Sequence, residues 1–271
     1  MIPYGRLLAE EARRALSRRA IWLLISVALV GIALTGVIAY VGSNDFDPRR
    51  HEPDIARLTD LWVTGGGDGV LTATLLFLAV GAVIGGATVT GAEWQHGTVV
   101  TISTWEVRRV RLLSARIFSA MALATLIGMA LMVLFCLSLA PTYLLRGTTE
   151  GADAEFWREL AFAIGRLALL TGLAAGLGAA VASIGRRTTV AVGASFAYLA
   201  VVETAVREKW PDWARWLLGE NTVVLATASD LEGAVFTRGV ATAALTLCAY
   251  VAVLVVVALV LFRRRDLAGS S

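Results

Sequence analysis

The chain has 271 residues, of which 57% are hydrophobic and only 17% charged, and its formal net charge is +3. With a mean hydropathy of +0.72 it is too apolar and too sparsely charged for an ordinary soluble domain or a disordered chain. Two cysteines exclude a disulfide scaffold.

In chain order, residues 2–19 come first, and they read as an amphipathic helix. Tyr4, Leu8, Ala12, Ala15 and Leu16 recur at helical spacing, opposite Arg6, Glu10, Arg13, Arg14 and Arg18. Such a helix lies in the membrane interface, anchored to anionic lipid or docking a partner. Residues 20–42 come next without a single charge, and at about 1.5 Å per residue they cover roughly 34 Å, enough for a hydrocarbon core. Comparable runs cover 70–92, 117–140, 160–184, 188–206 and 239–262. The expected fold is therefore all-α, a single membrane domain over 1–271 with six spans, and little chain is left for a soluble domain. An arginine-rich start followed by an apolar run resembles a secretory signal, but 23 residues exceed a normal signal core and no Ala-x-Ala site follows.

The connections carry the orientation. The N-terminal segment, the second and fourth connections and the tail hold 14 basic and five acidic residues, whereas the first, third and fifth connections, with the span ends beside them, hold ten basic and sixteen acidic. Basic loops stay in the cytoplasm, so both termini are expected inside, and the high pI reflects topology before nucleic acid. The eight tryptophans agree, since all lie near span ends or in connections, where an indole ring is apolar on one side and wet at its N–H. Trp210, Trp213 and Trp216 stand at three-residue spacing in the fifth connection and suggest a short interfacial helix on the outer side. Cys136 and Cys248 fall inside apolar runs and read as small buried residues. Two charges lie within the spans, Arg166 and Glu203, both toward the outer end. An unpaired charge there costs on the order of a few kcal/mol, so the pair is expected to meet or to face an aqueous vestibule.

Several chemistries fall away. Intramembrane proteolysis needs a nucleophile and base, or metal ligands, held together, and the only histidines, His51 and His96, lie outside the spans. A phosphate-binding loop ends in Gly-Lys followed by Ser or Thr, and the only lysine, Lys209, precedes Trp210. Ion-driven carriers usually place a titratable residue near the midplane, yet the central thirds of all six spans are uncharged.

The most specific stretch is the connection after the second span, Glu93-Trp94-Gln95-His96-Gly97-Thr98, continuing through Val99, Val100 and Ile102 to Trp105-Glu106-Val107-Arg108-Arg109, with Arg116 at the start of the third span. Thr98 is suited to cap a short helix, Val99, Val100 and Ile102 give it an apolar face, and the closing arginines complement its dipole. A Glu closing the second span, a Gly-Thr shortly after it and a basic approach to the third span resemble the membrane subunits of type-2 ATP-binding-cassette (ABC) exporters. The likeness extends along the chain, to the N-terminal helix, the long outer connection before the last span and Arg263-Arg264-Arg265-Asp266-Leu267. Glu106 stands where the family often has proline, and Arg116 where it often has lysine.

That resemblance implies a bacterial plasma-membrane permease working as a dimer of two six-span subunits, with ATP and magnesium bound by separate cytoplasmic ATPase subunits and no cofactor in this chain. Residues 98–109, within a coupling loop that runs from Glu93 to Arg116, would seat in the ATPase, Glu93 would pin the loop to the second span or the N-terminal helix, and the first, second and fifth spans would line the dimer axis. Phe46, Phe77, Phe196 and Tyr198 then become candidates for a pathway wall. The cargo would be an amphiphilic or peptide-like compound, such as an antibiotic, toxin or lipid. The competing readings are a membrane sensory or structural protein that binds a signalling partner through the same loop, and an ion-coupled carrier.

With no phosphate-binding loop, the purified chain is expected neither to bind nor to hydrolyse ATP. Equilibrium binding of a labelled nucleotide and a phosphate-release assay, on material proven free of other ATPases, check this; turnover by the chain alone would refute it.

Overall fold

The computed structural model describes residues 3–45, 58–60, 70–95, 109–228 and 238–264. These form an all-helical structure containing six helices long and apolar enough to cross a bilayer, as expected of a multi-pass membrane protein. In hydrocarbon no water is present to satisfy backbone N–H and C=O groups, so helices that bond internally are the form such runs take. The helices are α1 (Tyr4–Leu16), α2 (Arg19–Gly42), α3 (Val70–Gln95), α4 (Arg109–Leu145), α5 (Ala154–Gly185), α6 (Thr188–Lys209), α7 (Leu218–Thr227) and α8 (Val240–Arg264). The spans are α2 to α6 and α8.

Several helices outrun the apolar runs that announce them. The fourth run begins at 160, but α5 starts at Ala154 because the Asp153 carboxylate accepts a hydrogen bond from the Phe156 N–H at 2.9 Å and caps it. Glu155 and Arg158 in its first turns are good helix formers that pair with each other at 2.8 Å. The third run ends before Pro141, yet α4 continues through that proline to Leu145. At the same end the Tyr143 hydroxyl donates to the Cys136 carbonyl at 3.1 Å, satisfying a backbone acceptor close to the break in the ladder.

The interior is organised around α5. Its most apolar window is 72% buried, against 11% for α6. Lipid chains are as apolar as leucine, so helices in a bilayer associate through close packing more than through the hydrophobic effect. Small residues provide that here. A side chain at Gly86 of α3 would collide with the Ala175 backbone, and one at Gly178 of α5 with the Val83 backbone, so the two helices touch main chain to main chain. Toward α4 the fit is reciprocal, since Gly128 accommodates the Thr171 side chain and Gly172 the Thr125 side chain. Hydroxyls then cross the contacts: Thr90 donates to the Ala179 carbonyl at 2.8 Å, and Thr171 to the Ala124 carbonyl at 3.2 Å. Around this seam Leu75, Ile117, Met132, Phe135, Leu139 and Leu167 are almost completely buried.

Two local departures from regular α-helix shape α6. Arg186 takes a left-handed conformation (φ 58°) at the end of α5, allowing α6 to start at Thr188. Within α6 the residues Tyr198–Glu203 form a π-helical segment, a local widening frequent at functional sites.

Because the α3/α5 contact is backbone on backbone, Gly86→Ala and Gly178→Ala are expected to force the helices apart and to lower stability by about 1–3 kcal/mol or more, as overpacking does. Gly81→Ala, whose added carbon meets nothing within 4 Å, should leave it unchanged. Thermal unfolding of the three variants in one detergent checks the contrast.

Candidate functional site

The helix α1 is the part of the chain that differs most from its sequence reading. Its buried stripe is Leu7, Glu11 and Ala15, spaced four residues apart, while Tyr4 is exposed and Leu8 only half-buried. Leu7 packs on Leu112 and Ala115 of α4, with Leu8 alongside, and Ala15 packs between Val89 of α3 and Ala120 of α4. The apolar face read from hydropathy is thus rotated, and a glutamate occupies its middle. Arg13 and Arg14 sit in the last turn, where positive charge suits the helix dipole. Arg13 stays on the exposed face, 3.7 Å from Glu10.

Glu11 is tolerated in that position because Arg116 meets it. One carboxylate oxygen lies 2.9 Å from Arg116 Nε and the other 2.7 Å from Arg14 Nη1, and the Glu11 and Arg116 side chains are only 4% and 7% exposed. A desolvated pair of this kind adds little net stability, but removing one partner leaves an uncompensated buried charge. Arg116, read from sequence as the basic approach to the third span, is therefore the residue that holds the N-terminal helix on α4.

Further contacts fasten the same corner. The Arg18 guanidinium donates to the carbonyls of Thr88 (2.8 Å) and Val89 (3.2 Å) on α3. The Trp22 indole N–H donates to the Leu16 carbonyl at 2.8 Å, satisfying one of the acceptors left open at the end of α1. The Tyr4 hydroxyl bonds that of Ser114 at 3.1 Å, and the Arg111 guanidinium lies 5.9 Å from the Tyr4 ring centre. α1 is thereby joined to the end of α3 and to the start of α4, the two helices that bracket 96–108.

Of the loop residues singled out in the sequence, Gly97, Thr98, Val99, Val100, Ile102, Trp105, Glu106 and Arg108 lie outside the described residues. Glu93 falls on the last turn of α3, and Arg109 opens α4.

At the opposite end of the bundle the two intramembrane charges go separate ways. Glu203, in the π-helical segment of α6 and 4% exposed, accepts a hydrogen bond from the Gly219 N–H at 2.8 Å and so caps α7. One turn along, Arg207 reaches Glu220 with Nη2–Oε1 2.6 Å. Arg166, on α5, makes neither contact. The expected Arg166–Glu203 pair is not formed, because Glu203 is taken by the end of a helix that hydropathy does not reveal.

That helix, α7, is ten residues long, too short to register as a span, and it packs Val224 and Leu225 into the core beside α5 and α8. Before it, Pro211–Trp216 forms a 3₁₀ helix with Trp210 as its capping residue. With three residues per turn, Trp213 and Trp216 fall on one face of this helix, and Trp210, Trp213 and Trp216 are all exposed, at 57%, 65% and 52%. Arg238 stacks over the Trp216 ring at 5.1 Å, and Tyr250 of α8 donates to the Trp216 carbonyl at 2.6 Å.

Among the described residues no group of three His, Cys, Asp or Glu side chains is placed to hold a metal ion. The arrangement offers mechanical coupling between helices, with charged latches at both ends.

The two charge sets predict opposite double-mutant cycles. Glu11→Ala and Arg116→Met should each cost about 3–5 kcal/mol, the double variant far less than their sum. Arg166→Met and Glu203→Gln should instead combine additively, within about 0.5 kcal/mol. Thermal unfolding of both series in detergent checks the pair of outcomes. No protein-family profile and no curated protein matches the chain.

Proposed function

We propose that this chain is the membrane-spanning subunit of an ATP-driven exporter, in which a separate cytoplasmic ATPase drives the extrusion of an amphiphilic or peptide-like compound. The observation that carries the reading is the three-way junction of α1, α3 and α4. Residues 96–108, with the Gly97-Thr98 and Arg108-Arg109 pattern, connect two helices that both meet α1, α4 through Glu11–Arg116 and α3 through Ala15 on Val89, while Arg18 ties the start of α2 to the same end of α3. Force applied to this connection would be delivered to α1, α3 and α4 together, and through the α3/α5 backbone contact to the centre of the bundle.

Two further features support it. In the proposed orientation, with α1 on the cytoplasmic side, the junction faces the compartment that holds ATP. The first and fifth spans, α2 and α6, are among the least buried helices of the bundle, and Phe77 and Phe196 project from α3 and α6 with about half their surface exposed. Faces of that kind suit a second copy of the chain and a pathway between the two. Arg263 and Arg264 at the end of α8 and Arg186 and Arg187 between α5 and α6 complete the basic side.

The test is copurification followed by loop substitution. A P-loop ATPase is expected to copurify from native membranes under gentle detergent. In the reconstituted complex, Arg108→Glu with Arg109→Glu, and separately Val100→Pro, should reduce substrate-stimulated ATP hydrolysis to its unstimulated level while membrane insertion stays normal. In the short helix that the sequence suggests there, a proline costs roughly 3 kcal/mol, but it lies outside the apolar runs. Arg49→Glu, in the first connection, should be without effect. If both loop variants transport like the parent, the connection is only a topological signal and the exporter reading fails.

A further inference from the structure

Between α2, α3 and α4, at the end of the bundle where α2 begins, lies a cleft of about 390 Å³ with Ala175 and Thr171 of α5 at its floor. Its long wall runs along α3 from Phe77 to Val89, a distance of about 18 Å at the helical rise. With the roughly 1.4 Å radius of a water added at each wall, the free width is then about 8 Å, less than the 10–12 Å width of a helix with its side chains. A helix from another subunit does not fit that shape. An extended hydrocarbon chain does.

The chemistry of the walls agrees. Ile21, Leu24, Phe77, Ile84 and Leu123 are apolar, and the one side-chain hydroxyl, that of Thr171, already donates to the carbonyls of Ala168 (2.7 Å) and Ala124 (3.2 Å). Nothing within the cleft recognises a polar headgroup. Gly81 and Gly85 are what open it: a side-chain carbon at Gly81 would meet nothing within 4 Å, and one at Gly85 only Ile21 and Leu24 at ordinary contact distance. Near the Val89 end, Arg18 bridges the start of α2 to the α3 carbonyls of Thr88 and Val89. Just beyond, Arg19 and Trp22 are exposed at the start of α2, a cation and an indole at the level where headgroups lie. Laterally the cleft opens between α2 and α3, where Leu23, Val27, Phe77 and Val80 are exposed. In a bilayer a gap between helices forfeits dispersion contacts on both walls unless something of matching width fills it.

We propose that this cleft binds one acyl chain of a phospholipid from the leaflet at the α2 N-terminal end, with the phosphate at the level of Arg19 and Trp22 and the chain end toward Phe77. The site would make a single lipid an integral part of the contact between the first span and the rest of the bundle, whatever the chain transports.

The test uses the full chain in nanodiscs of phosphatidylglycerol and phosphatidylethanolamine, doped with phosphatidylglycerol bearing a photoreactive diazirine on one acyl chain, with adducts mapped by mass spectrometry. Adducts on Leu24, Phe77 and Leu123 are expected to exceed those on the exposed α8 residues Leu245, Val253 and Val256 by about fivefold or more, the ratio given by a modest binding preference. A diazirine near the ester should favour Ile21 and Leu24, and one near the methyl end should favour Phe77. Gly81→Phe, which fills the cleft, should reduce the Leu24 and Leu123 adducts to the α8 level, whereas Gly193→Phe, in equally open surroundings on α6, should not. Equal labelling of cleft and α8 in the parent protein would mean ordinary boundary lipid and would overturn the proposal. So would the reversed order of the two diazirine positions, or labelling undiminished in a folded Gly81→Phe variant.

Discussion

The close approach of α5 to α3 and α4 is the contact on which the rest of the bundle depends. Inside a bilayer, helices gain little by hiding leucine from other alkyl chains, so they hold together where surfaces fit closely enough to exchange lipid contacts for better ones. Glycine at positions 86, 128, 172 and 178 brings main chain against main chain or against a threonine branch. The hydroxyls of Thr90 and Thr171 then reach carbonyls across the contact, which they do only at this separation. Because α5 is central, α2 and α6 are left at the periphery with long apolar faces turned outward.

A second layer of organisation is electrostatic and sits at the two ends of the bundle. At one end Glu11, held by Arg14 and Arg116, ties α1 to α4, and Arg18 ties the start of α2 to α3; at the other Glu203 caps α7 while Arg207 holds Glu220. In both sets the carboxylates Glu11, Glu203 and Glu220 are buried and each has a partner, while Arg14 and Arg207 keep about half their surface exposed. Neither adds much net stability, since desolvation offsets most of the attraction. Their effect is specificity of arrangement: each fixes how one short amphipathic helix sits on the spans. The apolar cleft between α2, α3 and α4 shows the complementary case, in which two glycines leave a gap that no side chain of the chain fills.

The amino-acid order by itself determined the six spans, their approximate bounds and the presence of a helix before the first of them. Each of those depends on local quantities: the length of an uncharged run against the thickness of a bilayer, the internal satisfaction of backbone hydrogen bonds, and a periodic pattern over about four turns. The three-residue spacing of Trp210, Trp213 and Trp216 was also legible, because a 3₁₀ helix has that period. The tertiary structure alone decided which face of α1 is buried, since hydropathy gives no reason to bury Glu11 until Arg116, 105 residues away, is seen beside it. An arginine at the edge of the third apolar run was the one signal in the sequence that a counter-charge had to exist. The partner of Glu203 was equally hidden, because α7 is too short and too mixed in character to announce itself and the carboxylate caps its end. Gly81 and Gly85 look the same in sequence as Gly172 and Gly176, four residues apart in an apolar run. Only the neighbouring helices decide that one pair is pressed against Thr125 and Met121 while the other borders a cleft, because packing in a membrane is settled by which surfaces meet.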